Sequence, residues 1–287
     1  MPFKFQRMVI AGVGLIGGSI ALAARKRRLV KEIIGYGRGK ENLRFAHRKG
    51  MIDRYALDEK EVPGDVDLLI LATPVQSTAR VASILLPRLR PGAVVTDVGS
   101  VKGKIVREME KLLPRNVAFV GGHPIAGTER WGARAAFSDL FVGQRCILTP
   151  TKRTNPKALK SMAAFWRQLG AKVEMMDPGL HDRVLALVSH LPHVLVYALV
   201  NTIGRAAIDS IRLTDYCAGG FKDFTRIASS RPELWRDICL LNQGAIDRAI
   251  RDYSRQLDRL WRGIKEGKGR SLEEEFASAH AVRSEMP

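Results

Sequence analysis

Met8-Val9-Ile10-Ala11-Gly12-Val13-Gly14-Leu15-Ile16-Gly17-Gly18-Ser19 carries the reading of the fold. A short apolar run, Met8–Ala11, leads directly into Gly-x-Gly-x-x-Gly, and an amphipathic stretch follows. In that setting Gly12 permits a tight turn, Gly14 lets a pyrophosphate approach the backbone, and Gly17 allows close packing of helix on strand. The helix opening at Leu15 and Ile16 turns free N–H groups and its positive dipole end towards phosphate oxygens. The pattern alone would equally describe a glycine-rich turn; the strand before it and the helix after it make it a dinucleotide site.

Working outward, apolar runs recur at Ile33–Tyr36, Leu68–Ala72, Ala93–Asp97, Ala118–Gly121, Cys146–Thr149 and Val173–Met176. Helical patterns lie between several of them, at Ile16–Arg27, Lys40–Lys49, Ser77–Leu86, Lys102–Lys111 and Pro156–Leu169. Such alternation predicts an α/β domain, a doubly wound and mostly parallel sheet covered on both faces. At Asp177-Pro178-Gly179 the pattern changes. Leu180–Leu187, Leu195–Ala207, Trp235–Leu241 and Ala245–Trp261 carry apolar residues at helical spacing, with no strand signal between them. The division expected is therefore a Rossmann-type dinucleotide-binding domain over 1–177 and an all-α domain over 178–287. The stretch His193–Ile208 is apolar on nearly every face, which calls for burial between helices or in a dimer interface. Lys265–Pro287 is polar and reads as a frayed or loosely docked helix.

Bulk composition narrows the classes. The 287 residues are 46% hydrophobic and 26% charged, enough chain for two domains with sizeable cores. Cys146, Cys217 and Cys239 are odd in number and widely spaced, so neither a disulfide framework nor a zinc site is suggested. No leader is evident at the N-terminus, and no window approaches roughly 18 uninterrupted apolar residues. A cytoplasmic protein with no membrane partner is expected. The net charge of +18 raises nucleic acid as a partner. The cations are scattered, however, with Arg25-Lys26-Arg27-Arg28 the one tight cluster, and aromatic residues do not interleave with them as a stacking platform requires. The expected partner is a small anionic molecule drawn in by the positive field, not a nucleic acid.

After the second strand a dinucleotide site that takes NAD usually has an acidic residue for the ribose 2′-hydroxyl. Here Gly37-Arg38-Gly39 stands there instead. The Arg38 guanidinium suits a 2′-phosphate, although a solvated arginine beside an NAD site fits the sequence too. The expected cofactor is NAD(P), with a slight lean to NADP.

Three polar stretches close strands and should face one crevice beyond their carboxyl ends. They are Thr73-Pro74, Asp97–Lys102 with Ser100, and Gly122-His123-Pro124-Ile125-Ala126-Gly127-Thr128-Glu129. An imidazole at a strand end can receive the proton of an alcohol undergoing oxidation, and Ser100 is placed to hydrogen-bond both His123 and the substrate oxygen. In the helical domain, Ser189-His190-Leu191-Pro192-His193 has two histidines but no carboxylate or cysteine nearby to complete a metal set, and Pro192 interrupts regular helix. No metal is expected. Phe221-Lys222-Asp223-Phe224-Thr225-Arg226 offers an arginine for a bidentate carboxylate clamp, or an i, i+3 ion pair between Asp223 and Arg226, or both.

Taken in order from Gly12 to about Leu241, these stretches resemble the prephenate/arogenate dehydrogenases of tyrosine biosynthesis. His-Pro-x-x-Gly after a strand, then Ser-His-x-x-His and Asp-x-Thr-Arg in a helical domain, is far more specific than the glycine motif. The resemblance implies a Rossmann domain followed by a helical dimerisation domain, hence a homodimer, and NAD(P)-dependent oxidative decarboxylation of prephenate, with arogenate as an alternative substrate. It implies that His123 is the catalytic histidine and Ser100 the serine beside the ring hydroxyl. Arg226 and His193 would bind a substrate carboxylate, supported by His190 and Asp223. Thr128 and Glu129 follow on the same loop, and Glu129 is a candidate for recognising the ammonium of arogenate, or else a cap or a partner for Arg130 or Arg134. Gly12, Gly14, Leu15, Ile16, Gly17, Arg38, Thr73, Pro74 and Ser100 make up the expected cofactor site. Two other classes compete: a β-hydroxyacid-type dehydrogenase, whose lysine base would have to be Lys222 without an Asn four residues on, and a non-catalytic NAD(P) sensor, which would need neither His123 nor Arg226.

Overall fold

The computed structural model describes residues 5–128 and 130–286, and shows an eight-stranded sheet followed by helices. The strands are β1 (Phe5–Ala11), β2 (Val30–Tyr36), β3 (Arg54–Ala56), β4 (Val66–Leu71), β5 (Leu89–Asp97), β6 (Ala118–Pro124), β7 (Arg145–Thr149) and β8 (Lys172–Met175). Their order is β3-β2-β1-β4-β5-β6-β7-β8. The first six run parallel; β7 is antiparallel to β6 and parallel to β8. The chain winds outward from β1 to β3, then crosses to the other side of β1 with β4. The strand order thus reverses between β1 and β4, which opens a crevice beyond their carboxyl ends.

Helices α1 (Leu15–Lys26), α2 (Lys40–Arg48), α3 (Thr78–Leu85), α4 (Gly103–Leu112) and α5 (Pro156–Gln168) cover the sheet. Each falls within a residue or two of its sequence-based expectation. Alternate residues of the strands feed two cores. Met8, Ile10, Ile33, Leu68 and Ile70 pack with Phe165 and Trp166 of α5. Val9, Ala11, Ile34, Leu69, Leu71 and Val95 pack with Leu85 of α3 and Met109 of α4. This is the period-2 division of a sheet covered on both faces. The three residues of β3 escaped the sequence reading because Arg54-Tyr55-Ala56 contains no apolar run; the edge strand is held by pairing to Ile34–Tyr36.

The rest is helical: α6 (Pro178–Leu185), α7 (Leu191–Arg205), α8 (Gly219–Thr225), α9 (Pro232–Leu241), α10 (Gln243–Lys265) and α11 (Gly269–Ser284). Asp177 caps α6, its carboxylate accepting from Gly179 N and Leu180 N at 2.8 and 2.9 Å. Between α6 and α7 the residues Ala186–His190 form a π-turn just before Pro192. Proline has no N–H for the helical ladder, and the wider turn absorbs the mismatch. The interruption expected at Pro192 is thus a local widening, and helix runs on from Pro178 to Arg205. By length and composition alone that 28-residue run could cross a membrane, although its apolar residues are interrupted at His181-Asp182-Arg183, Ser189-His190 and His193. Its His181 and Asp182 instead hydrogen-bond to the α/β domain. The polar C-terminal stretch is mostly the regular helix α11, which packs on α10 where Leu272 lies against Gly263.

Candidate active site

The crevice at the β1–β4 reversal is a cleft of about 490 Å³. Gly14, Leu15, Ile16, Gly17, Thr73 and Pro74 form one wall; Ser100, His123 and Thr128 line it further along, and Ser230, Arg231, Glu233, Leu234, Arg236 and Asp237 of the helical domain close it. A larger hollow of about 920 Å³ lies at the opposite ends of the strands, around Arg90, Arg115 and Asn155, and contains none of these groups.

The glycine turn matches its expected physical roles. Gly12 sits at φ +94°, and a Cβ there would meet Ala72 O at 2.4 Å. A Cβ on Gly17 would meet Gly12 O at 2.2 Å, whereas one on Gly14 would point into open space. Gly14, the residue before α1, offers no side-chain cap, and the first turn of α1 has no acidic residue. Its leading N–H groups are left for an anion. The Thr73 hydroxyl is buried in the same wall, with no hydrogen-bond partner among the described residues. An open cradle, uncapped amides and an orphaned hydroxyl fit a dinucleotide phosphate and its neighbouring groups. Arg38 is exposed just beyond β2, and a Cβ at Gly37 would meet nothing.

His123 is the penultimate residue of β6 and is 8% exposed. Its Nδ1 lies 2.8 Å from His181 Nε2, and His181 Nδ1 lies 2.8 Å from Asp182 Oδ1. Asp182 in turn accepts from Lys102 N at 2.7 Å and Gly103 N at 2.8 Å, which ties α6 to the start of α4. The expected hydrogen bond between Ser100 and His123 is not made: His181 occupies Nδ1, and Ser100 stands half-buried on the cleft wall. Burial pushes the His123 pKa well below that of a free imidazole, reinforced by His181, Lys102 and His190. Burial also lowers His181 against the opposing pull of Asp182. For Asp182 burial works upward, but hydrogen bonds from His181 and the two backbone amides prevail and hold its pKa below the usual value. At neutral pH the arrangement is two neutral imidazoles and one carboxylate.

Beneath them, Lys102 and Asp97 are fully buried and ion-paired. Lys102 Nζ also donates to Gly122 O at 2.8 Å, and Asp97 accepts from Gly99 N at 2.9 Å and Gly122 N at 3.2 Å. This pair clamps the end of β5 to the strand that carries His123.

In the helical domain His193 donates from Nδ1 to Ser189 O at 2.9 Å, and its ring stacks on Trp235 with centroids 3.5 Å apart. Burial lowers its pKa, partly opposed by the bond to Ser189. His190 is buried; Asn242 donates to its Nδ1 at 3.1 Å, and its Nε2 has no partner among the described residues. Burial brings its pKa down to about 4. Arg226 and Asp223 are both exposed, at and just before the end of α8, and neither belongs to the cleft wall. Glu129 lies outside the described residues. The cations that do line the cleft are Arg130, Arg231 and Arg236, with Arg231 over the Trp131 ring at 5.6 Å. Among the described residues no cluster of three histidine, cysteine or acidic side chains is arranged to hold a metal ion.

Residues 20–175 match the sequence profile described as prephenate dehydrogenase, nucleotide-binding domain, and residues 177–278 match prephenate dehydrogenase, dimerization domain. The chain belongs to the prephenate dehydrogenase family. It is 33% identical to the cyclohexadienyl dehydrogenase of Zymomonas mobilis, over 97% of this chain and 95% of that protein. It is 34% identical to the prephenate dehydrogenase of Bacillus subtilis, over 98% of this chain and 76% of that one. The crystal structure of prephenate dehydrogenase from A. aeolicus, in complex with hydroxyphenyl propionate and NAD+, superposes with a TM-score of 0.95 at 39% identity and covers all of both chains. Membership makes the protein an NAD(P)-dependent oxidoreductase with a Rossmann-type domain followed by a helical one.

The sequence reading missed His181, Asp182, Asn242 and Trp235 around His123, and it set Asp97 and Lys102 in a stretch facing the crevice where the fold buries them as an ion pair. One signal was available. Histidine is scarce in this family member, six in 287 residues, and the fold gathers His123, His181, His190 and His193 around Asp182 and Trp235. That gathering has a consequence for stability. A histidine whose folded pKa lies below its unfolded value stabilises the fold fully above about pH 6.5, and the contribution is lost as pH falls. For His190, at about 4 against 6.5, the loss amounts to about 3 kcal/mol by pH 4. Urea denaturation across this range should show the midpoint falling with acidity, and His190→Gln should flatten the slope. A parent whose midpoint ignores pH between 6.5 and 4 would contradict the burial of a neutral imidazole.

Proposed function

We propose that this enzyme oxidatively decarboxylates prephenate to 4-hydroxyphenylpyruvate, with His123 as the base for the ring hydroxyl. The observation that carries the reading is a buried histidine, its pKa held well below that of a free imidazole by burial, on the wall of the same cleft as the glycine turn. Gly14, the N-terminus of α1 and Thr73 would hold the dinucleotide, and Arg38 would meet its adenosine end. When bound, the nicotinamide supplies the acceptor for the C4 hydride. His123 receives the 4-hydroxyl proton at Nε2, because His181 occupies Nδ1, and Ser100 orients the same oxygen from the cleft wall. Breakage of the bond to the ring carboxylate releases CO2, its electron pair aromatises the ring, and the proton returns from His123 to the phenol oxygen. Trp131, Arg231 and the helical domain cover the cleft against water.

Arogenate, which carries an ammonium where prephenate has a ketone, is the second substrate proposed; Thr128 lines the cleft, and the carboxylate of Glu129, the next residue in the sequence, is the group whose chemistry suits that ammonium. Arg38 supports NADP as the favoured dinucleotide. We assign the active form as a cytoplasmic homodimer joined through the helical domain, divided from the α/β domain at residues 177–178. In support, apolar α7 has only Leu191 and Val196 buried within one chain, while Leu187, Val188, Leu257 and Trp261 remain exposed. Arg226 and Asp223, exposed on this domain, would complete the substrate carboxylate site in that assembly, with His193 beside it.

Arg226→Ala tests the substrate assignment. Loss of a charge partner for a carboxylate costs about 2–5 kcal/mol of binding, so apparent affinity for prephenate should fall at least thirtyfold while dinucleotide affinity holds. Unchanged prephenate affinity would remove Arg226 from the site.

A further inference from the structure

The contacts of His123 specify more than its place in the cleft. A carboxylate can only accept hydrogen bonds, so the His181 nitrogen facing Asp182 must carry the proton. That nitrogen is Nδ1, 2.8 Å from Asp182 Oδ1. A neutral His181 then has a bare Nε2, which can only accept. The atom 2.8 Å from it is His123 Nδ1, which must therefore be the protonated nitrogen of His123. It follows that His123 turns an unprotonated Nε2 to the cleft.

We propose that His181 and Asp182 are positioning residues of a three-member relay, in which Asp182 sets the tautomer of both imidazoles and keeps the His123 nitrogen that faces substrate in its proton-accepting form. The proposal rests on His123 being the base. Three features favour it over packing alone. His181 is fully buried and spends both ring nitrogens on this chain. Asp182 is fixed by two backbone amides that open α4, so it cannot rotate away from His181. Its side chain comes from the helical domain and acts on a histidine of the sheet, so relative placement of the two domains is read directly at the base. When the substrate proton arrives on His123 Nε2, the resulting imidazolium still donates from Nδ1 to His181, and the carboxylate at the far end offsets its charge. When the proton returns to the phenol oxygen, the chain resumes its starting tautomers.

Asp182→Asn is the sharp test. Asp182 Oδ1 accepts from both His181 Nδ1 and Lys102 N; an amide nitrogen in that place gives up the Lys102 bond and donates to His181 Nδ1, after which His181 Nε2–H donates to His123 Nδ1 and the cleft-facing Nε2 becomes the protonated one. Turnover should fall by about three to four orders of magnitude, the loss expected when a catalytic histidine is held in the wrong tautomer, while KM for prephenate and dinucleotide affinity stay within about threefold. The second readout needs no turnover: nitrogen-15 NMR of the imidazoles in dinucleotide-free protein should place the His123 proton on Nδ1 in the parent and on Nε2 in D182N. His181→Phe leaves the Asp182 clamp on Lys102 N and Gly103 N in place and serves if D182N does not fold. It should lower kcat at least a hundredfold with KM unchanged, and should mix the His123 tautomers. Parent-like kcat in folded H181F, or in D182N whose His123 proton has moved to Nε2, or a His123 proton already on Nε2 in the parent, overturns the relay. A parent that fails to turn over prephenate would sink the substrate reading, and the tautomer measurement would still decide the relay.

Discussion

His123→Asn should lower turnover by about two to four orders of magnitude, the usual contribution of a positioned general base. Asparagine can still reach towards His181 but offers no nitrogen able to take a proton. The residue is the penultimate one of β6, where pairing of Gly121–Pro124 with Cys146–Thr149 of the antiparallel β7 fixes its direction, so the fold should survive the change. Steady-state kinetics with prephenate are the check, and an unchanged rate would remove His123 from the mechanism. The pH profile gives the same test a second form. Burial, with His181, Lys102 and His190, holds the His123 pKa well below 6.5. The base is therefore free above its lowered pKa and is lost only below it. In the parent, kcat/KM should hold level as pH falls through 6.5 and decline at more acid values; the asparagine variant should lack that decline.

Lys102→Met should destabilise the fold by about 3–5 kcal/mol, because it strands a buried carboxylate without its cation. Asp97 and Lys102 are fully buried, and after the change Asp97 keeps only the amides of Gly99 and Gly122 as donors. Lost with the cation is the bond from Nζ to Gly122 O, which anchors the residue just before His123. Chemical denaturation of the single variant and of Lys102→Met with Asp97→Asn separates the effects. The double variant should recover part of the loss, because no bare charge remains buried. A single variant as stable as the parent would mean that Asp97 finds water or another cation.

The sequence made the α/β domain legible because its strands are continuous apolar runs and its helices fall between them in step. The glycine turn could be read to the level of single contacts: Gly12 needs its positive φ and Gly17 its missing Cβ. The helical domain was harder. Helix α8 is a seven-residue element with no buried face in one chain, so periodicity had little to act on, and the π-turn before Pro192 follows from a backbone mismatch that spacing does not reveal. At the site, strand-end residues announced themselves: Thr73, Ser100, His123 and Thr128 do line one cleft. The relay did not. His181 and Asp182 look like solvated polar residues on an ordinary capped helix, and only the packing of α6 against α4 turns them inward. Arg226 and Asp223 were chosen for their chemistry, but a single chain leaves them on its surface.

The most direct test of the central claim is dinucleotide reduction by the purified protein, with prephenate and arogenate each offered NAD and NADP. Reduction with prephenate is expected, with one CO2 released per dinucleotide reduced and the faster rate with NADP if Arg38 holds a 2′-phosphate. Silence in all four combinations, from folded protein that still binds dinucleotide, would contradict it.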